Sequence, residues 1–136
     1  MSTYSGAVSR RSFYSGPTTV YNGGTGFHAL NTNLYEVPAN ATAKLRDFWL
    51  YYGASSTIDY VLSVRRFDPI TSTWITRFTI TFSGGGGHAP IDLATLYASN
   101  FQNMMSGDRL YLDSLSHNNA GEFKAAFYIE EEASAF

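Results

Sequence analysis

Three histidines, His28, His88 and His117, and six aspartates, Asp47, Asp59, Asp68, Asp92, Asp108 and Asp113, are the side chains best suited to metal binding or acid–base work. Their spacing supports neither. A zinc protease helix needs two histidines four residues apart with a glutamate between them, and no such pattern occurs. The histidines stand far apart, each among loop-forming residues. A glycosidase needs two carboxylates at a set separation, but most of these aspartates fall at turns or on solvent-facing strand positions, where Asp is ordinary. Serine is plentiful, yet no Gly-x-Ser-x-Gly elbow is present. Gly84-Gly85-Gly86-Gly87 lacks the Lys-Ser/Thr that completes a phosphate loop. With no cysteine in the chain, thiolate ligands, disulfides and a cysteine nucleophile are all excluded. The expectation is no catalytic residue, no metal and no cofactor.

Composition shifts the question from reaction to binding. The 136 residues fit one domain whose core needs no covalent staple. Charged residues are 15% of the chain, against about 25% in ordinary domains. Ten Tyr, ten Phe and two Trp are more rings than one small core holds, so some belong at surfaces and subunit contacts, which Tyr suits. The net charge of −2 argues against nucleic acid, which needs a basic footprint. Arg65-Arg66 and Arg77 have acids nearby and form no basic stripe. No apolar run approaches the ~20 residues of a membrane helix. The opening Met1–Gly6 has no apolar stretch of an export signal, so the expectation is a soluble protein made in the cytoplasm. Without that signal, Asn40-Ala41-Thr42 is a chance match to a glycosylation acceptor.

Positioning elements read as β. Residues 1–32 are polar, rich in Ser, Thr, Tyr, Gly and Asn, without sustained periodicity, and carry Arg10 and Arg11 with no acid. They are expected to be an extended N-terminal arm, with residues 33–136 forming the folded domain. Thr57–Phe67 puts Ile58, Tyr60, Leu62 and Val64 on one face. Thr73–Phe82 puts Trp74, Phe78, Ile80 and Phe82 on one face. Glu122–Glu131 puts Phe123, Ala125, Phe127 and Ile129 together. Such period-two runs predict half-buried antiparallel strands, separated by turns at Gly53–Ser56 and Asp68–Ser72. Asp92–Met105 reads either as a short helix capped by Asp92 or as a loop with a brief strand. Seven or eight strands predict an all-β, antiparallel, jelly-roll-like β-sandwich.

Leu34-Tyr35-Glu36-Val37-Pro38-Ala39-Asn40-Ala41-Thr42-Ala43-Lys44-Leu45 resembles the strand–turn–strand that opens a group of small β-sandwich virion proteins of tailed phages. Met105–Leu112, with Ser106-Gly107-Asp108-Arg109, is similar to a later strand of theirs, and Phe127-Tyr128-Ile129-Glu130-Glu131 to their last. The likeness spans roughly residues 31–131, about three quarters of the chain. It implies a capsid decoration (cement) protein, or a tail, neck or fibre component. Such proteins act by assembly, commonly as homotrimers on the major capsid protein or other virion proteins, located in the virion and without catalytic residues. On this reading Tyr4, Arg10, Arg11, Phe13, Tyr14 and Tyr21 of the arm form the assembly interface. A rival reading is a host-glycan-binding module in which Trp49, Trp74 or loop tyrosines stack on sugar rings.

Overall fold

The computed structural model describes residues 8–52, 57–85 and 88–134. Among these residues eight strands run β1 (Val8–Gly23), β2 (Gly26–Glu36), β3 (Ala41–Tyr51), β4 (Ile58–Asp68), β5 (Thr73–Gly85), β6 (His88–Pro90), β7 (Arg109–His117) and β8 (Gly121–Ser134). Between β6 and β7 lie the short helix α1 (Leu93–Tyr97) and a 3-10 turn at Asn100–Gln102. One sheet has the order β1-β8-β3-β6, the other β2-β7-β4-β5. Strands pair first with last, β1 with β8, β2 with β7, β3 with β6 and β4 with β5, all antiparallel. This is an antiparallel ribbon folded into the two-sheet jelly-roll sandwich.

The core is the facing sides of the two sheets. Leu45, Phe48, Leu50, Phe123, Phe127 and Ile129 meet Ile58, Tyr60, Leu62, Val64, Leu110, Leu112 and Leu115, all essentially buried. Burial at about 25 cal/mol per Å² of apolar surface supplies the main driving force. Bulges keep the faces in phase. In β3 the register slips at Arg46, so the inward set passes from Ala41, Ala43 and Leu45 to Phe48 and Leu50. In β7 the slip at Asp113 moves it from Leu110 and Leu112 to Leu115 and His117. Each inserted residue lets one side chain leave the alternation without breaking the strand.

The segment after β6 covers an edge that would otherwise be open. Ala43 and Met104 exchange backbone hydrogen bonds of 2.9 and 3.1 Å. Gln102 Nε2 donates to the Leu45 carbonyl at 2.6 Å, and Tyr97 Oη to that of Arg46 at 2.9 Å. Leu96 and Phe101 plug the side of the core. Asp92 caps α1 by accepting from the Thr95 amide at 2.9 Å, as the helical reading of this stretch requires. The Thr95 hydroxyl also donates to it, and this holds the Asp92 carboxyl below its usual range. A depressed folded value stabilises the turn above about pH 4, and the contribution is lost as pH falls through that lower value. The protection of the Thr95 and Leu96 amides, their exchange relative to the intrinsic rate at each pH, is expected to fall on acidification in the native protein, and to be low with no such acid step in Asp92→Ala.

Residues 8–32 are not a separate arm. Val8–Gly23 is an edge strand laddered along β8, and Gly26–Glu36 an edge strand laddered along β7. Their periodicity is hidden because each ladder slips twice, at Ser15/Thr18 and Thr19/Tyr21 in β1 and at Ala29/Thr32 and Asn33/Tyr35 in β2. Gly16 makes the first slip possible. Its φ is +94°, and a Cβ there would collide with the Ala125 carbonyl oxygen. Gly16→Ala is therefore expected to destabilise by about 2 kcal/mol or more, read as a lower urea midpoint at unchanged slope.

Candidate interaction surfaces

The charged groups nearest the core are tied into the frame. Asp108 is fully buried and takes two hydrogen bonds from Arg66, 2.7 Å from Nε and 2.8 Å from Nη2, and a third of 2.9 Å from the Met105 amide. The pairing raises the Arg66 guanidinium above its ordinary value. Beside it, the Val37 amide donates to the Asp108 carbonyl at 2.9 Å and the Gly107 amide to that of Val37 at 3.0 Å. The Val37-Pro38 turn and the Ser106-Gly107-Asp108 turn, remote in sequence, thus form one corner. Glu131 is the second buried acid. It accepts from the Tyr35 hydroxyl and forms an ion pair with Arg11 at 2.9 Å. Burial, reinforced by that carboxylate, pushes the Tyr35 hydroxyl far up, so it remains a proton donor.

Asp113 accepts from Arg65 and Ser63 at 2.6 and 2.7 Å. Asp68 binds the Ile70 amide and the Thr71 hydroxyl, and Asp47 the Phe48 amide. These carboxylates hold turns, caps and ion pairs. His28 and His117 do approach, with ring centroids 5.1 Å apart beside Tyr21. His117 Nδ1 lies 2.7 Å from the Asn119 carbonyl and His28 Nε2 lies 3.0 Å from that of Gly24. Both rings therefore serve to close the β1–β2 and β7–β8 ends. The side chain of His88 lies outside the described residues. Among the described residues no three His, Asp or Glu groups gather as a metal site.

The expected interface residues divide. Tyr4 lies outside the described residues. Phe13 packs on Tyr35 with ring centroids 6.1 Å apart, and Tyr21 stacks on His28 at 4.0 Å, so both seal the seam between β1 and β2. Arg11 is spent on Glu131. Arg10 pairs at 2.7 Å with Glu132 in solvent. Tyr14 faces outward, 66% exposed.

Two outward surfaces emerge that sequence patterning missed. On the β1-β8-β3 face, Tyr14 packs edge-on against Tyr128 at 4.5 Å and Trp49 at 6.1 Å. The Arg46 bulge sets this parity, since it turns Phe48 and Leu50 inward and Trp49 out. At the β4–β5 end, Ile70 is 92% exposed, Phe67 44% and Ile75 43%. Trp74 belongs to this end and not to the inward row of Phe78, Ile80 and Phe82. The register slips at Arg77, and Trp74 packs edge-on against Phe67 and under the Arg109 guanidinium, which lies 3.9 Å from its ring centroid. An isoleucine inside the Asp68–Ser72 turn was the available sequence signal for this patch.

No family model matches the chain, and no curated protein matches it. Among solved structures it is similar to the CBM22-2 xylan-binding domain from Paenibacillus barcinonensis Xyn10C, at 12% identity over 96% of this chain and 94% of that one, with a TM-score of 0.25. A superposition that loose carries no argument about what this chain does.

Proposed function

We propose that this protein is a structural component of a tailed-phage particle, a capsid decoration protein that works by fitting other subunits. The observation that carries the reading is the apolar end of the β4–β5 hairpin. Phe67 and Ile70 stay in water on the hairpin that carries Trp74, while the buried carboxylates are consumed by the frame. A cluster of this kind marks a surface awaiting a protein partner. Resemblance of Leu34–Leu45 and Met105–Leu112 to small virion proteins points the same way, and adds homotrimerisation and the major capsid protein as partners. The two resembling stretches meet at the Val37–Asp108 corner.

Ile70→Ser tests it. That side chain is 92% exposed, so stability should move by no more than about 0.5 kcal/mol. Attachment to particles that lack the native protein, measured by cosedimentation, should fall at least tenfold. Unchanged attachment would show that this end is not the docking surface.

A further inference from the structure

The outer face of the β1-β8-β3 layer carries an aromatic platform and, directly beside it, a polar depression. Tyr14, Trp49 and Tyr128 come from three adjacent strands. Ala126, paired with Trp49 on this face, is only 4% exposed, so the rings form a continuous lid over the sheet. One step along the same strands, Ser12 follows Tyr14, Glu130 follows Tyr128, and Lys44 stands opposite Glu130. With Arg10, Thr42 and Glu132 they line a depression of about 250 Å³.

We propose that this face binds a chain of neutral pyranose sugars. A pyranose has one face of C–H groups and a rim of hydroxyls. The C–H face, slightly positive, is drawn to the negative face of an aromatic ring. Each hydroxyl both donates and accepts. The depression supplies both, donors from Lys44 and Arg10, acceptors from Glu130 and Glu132, and either from Ser12 and Thr42. A phosphate or nucleic acid would meet Glu130 and Glu132 as repulsion, and a hydrocarbon would strand the ion pairs. An apolar wall with a few convergent polar groups is the general form of a small-ligand site. The site is at the opposite sheet from the β4–β5 hairpin, so its occupation and the particle attachment proposed above succeed or fail separately.

The test uses the full chain labelled with 15N, titrated to 10 mM with cellohexaose, maltohexaose and chitotriose. The indole N–H signals of Trp49 and Trp74 report the two sheet faces independently. At least one sugar should shift Trp49 with saturation and leave Trp74 in place, and Tyr14→Ser should weaken that binding at least tenfold while the remaining spectrum stays folded. The proposal is overturned if none of the three sugars shifts Trp49, if Trp74 shifts instead, or if Tyr14→Ser binds as well as the native chain.

Discussion

Replacing Arg66 by methionine is expected to destabilise the domain by about 3–5 kcal/mol, because it leaves the Asp108 carboxylate buried without its cation. The effect should be asymmetric. The Arg66 side chain is 39% exposed and that of Asp108 0%. An arginine that loses its acid can turn to water, but the carboxylate that loses its arginine keeps, among the described residues, only the Met105 amide. Asp108→Asn keeps an acceptor for that amide and should cost less, about 1–3 kcal/mol. Replacing both by apolar residues should recover much of the Arg66→Met loss, since two desolvated charges are removed together. Urea midpoints at constant slope measure all three. Equal costs for the two single variants would mean that the exposure difference does not govern the pair.

Removing residues 1–23 is expected to abolish cooperative folding. This strand is laddered along β8, and Phe13, Val20 and Tyr21 pack against the core. Its loss uncovers the row from Phe123 to Ile129 and strips Glu131 of Arg11, leaving a second buried acid without its cation. Truncation ahead of Val8 keeps every one of these contacts and should still unfold in a single transition. A folded, cooperative chain lacking residues 1–23 would show that β1 is accessory to the sandwich.

The sequence was most legible where strands alternate without interruption. Phe123, Ala125, Phe127 and Ile129 face inward as their spacing demands, and so do Ile58, Tyr60, Leu62 and Val64. The turns and the Asp92 cap were marked by residue types whose local chemistry is strong. Elements with inserted residues were harder. Each bulge reverses which side chains face the core, so Trp49 and Trp74 point outward although runs of apolar neighbours suggest otherwise. Strands β1 and β2 lie at sheet edges, bulge twice and have largely exposed outward residues, which gives a polar, aperiodic sequence without a separate arm. Asp108 looked like an ordinary turn aspartate because its partner, Arg66, is 42 residues away. The apolar end was signalled by Ile70 alone, whereas the Tyr14–Trp49–Tyr128 platform depends on three strands meeting in register and leaves no local trace.

Electron cryo-microscopy of tailed-phage particles assembled in the presence of this chain tests the proposed decoration role most directly. The structure should fit into repeated density on the capsid shell, with Ile70 buried against a neighbouring subunit. Particles without such density, while the protein stays as a free monomer in the lysate, would contradict it.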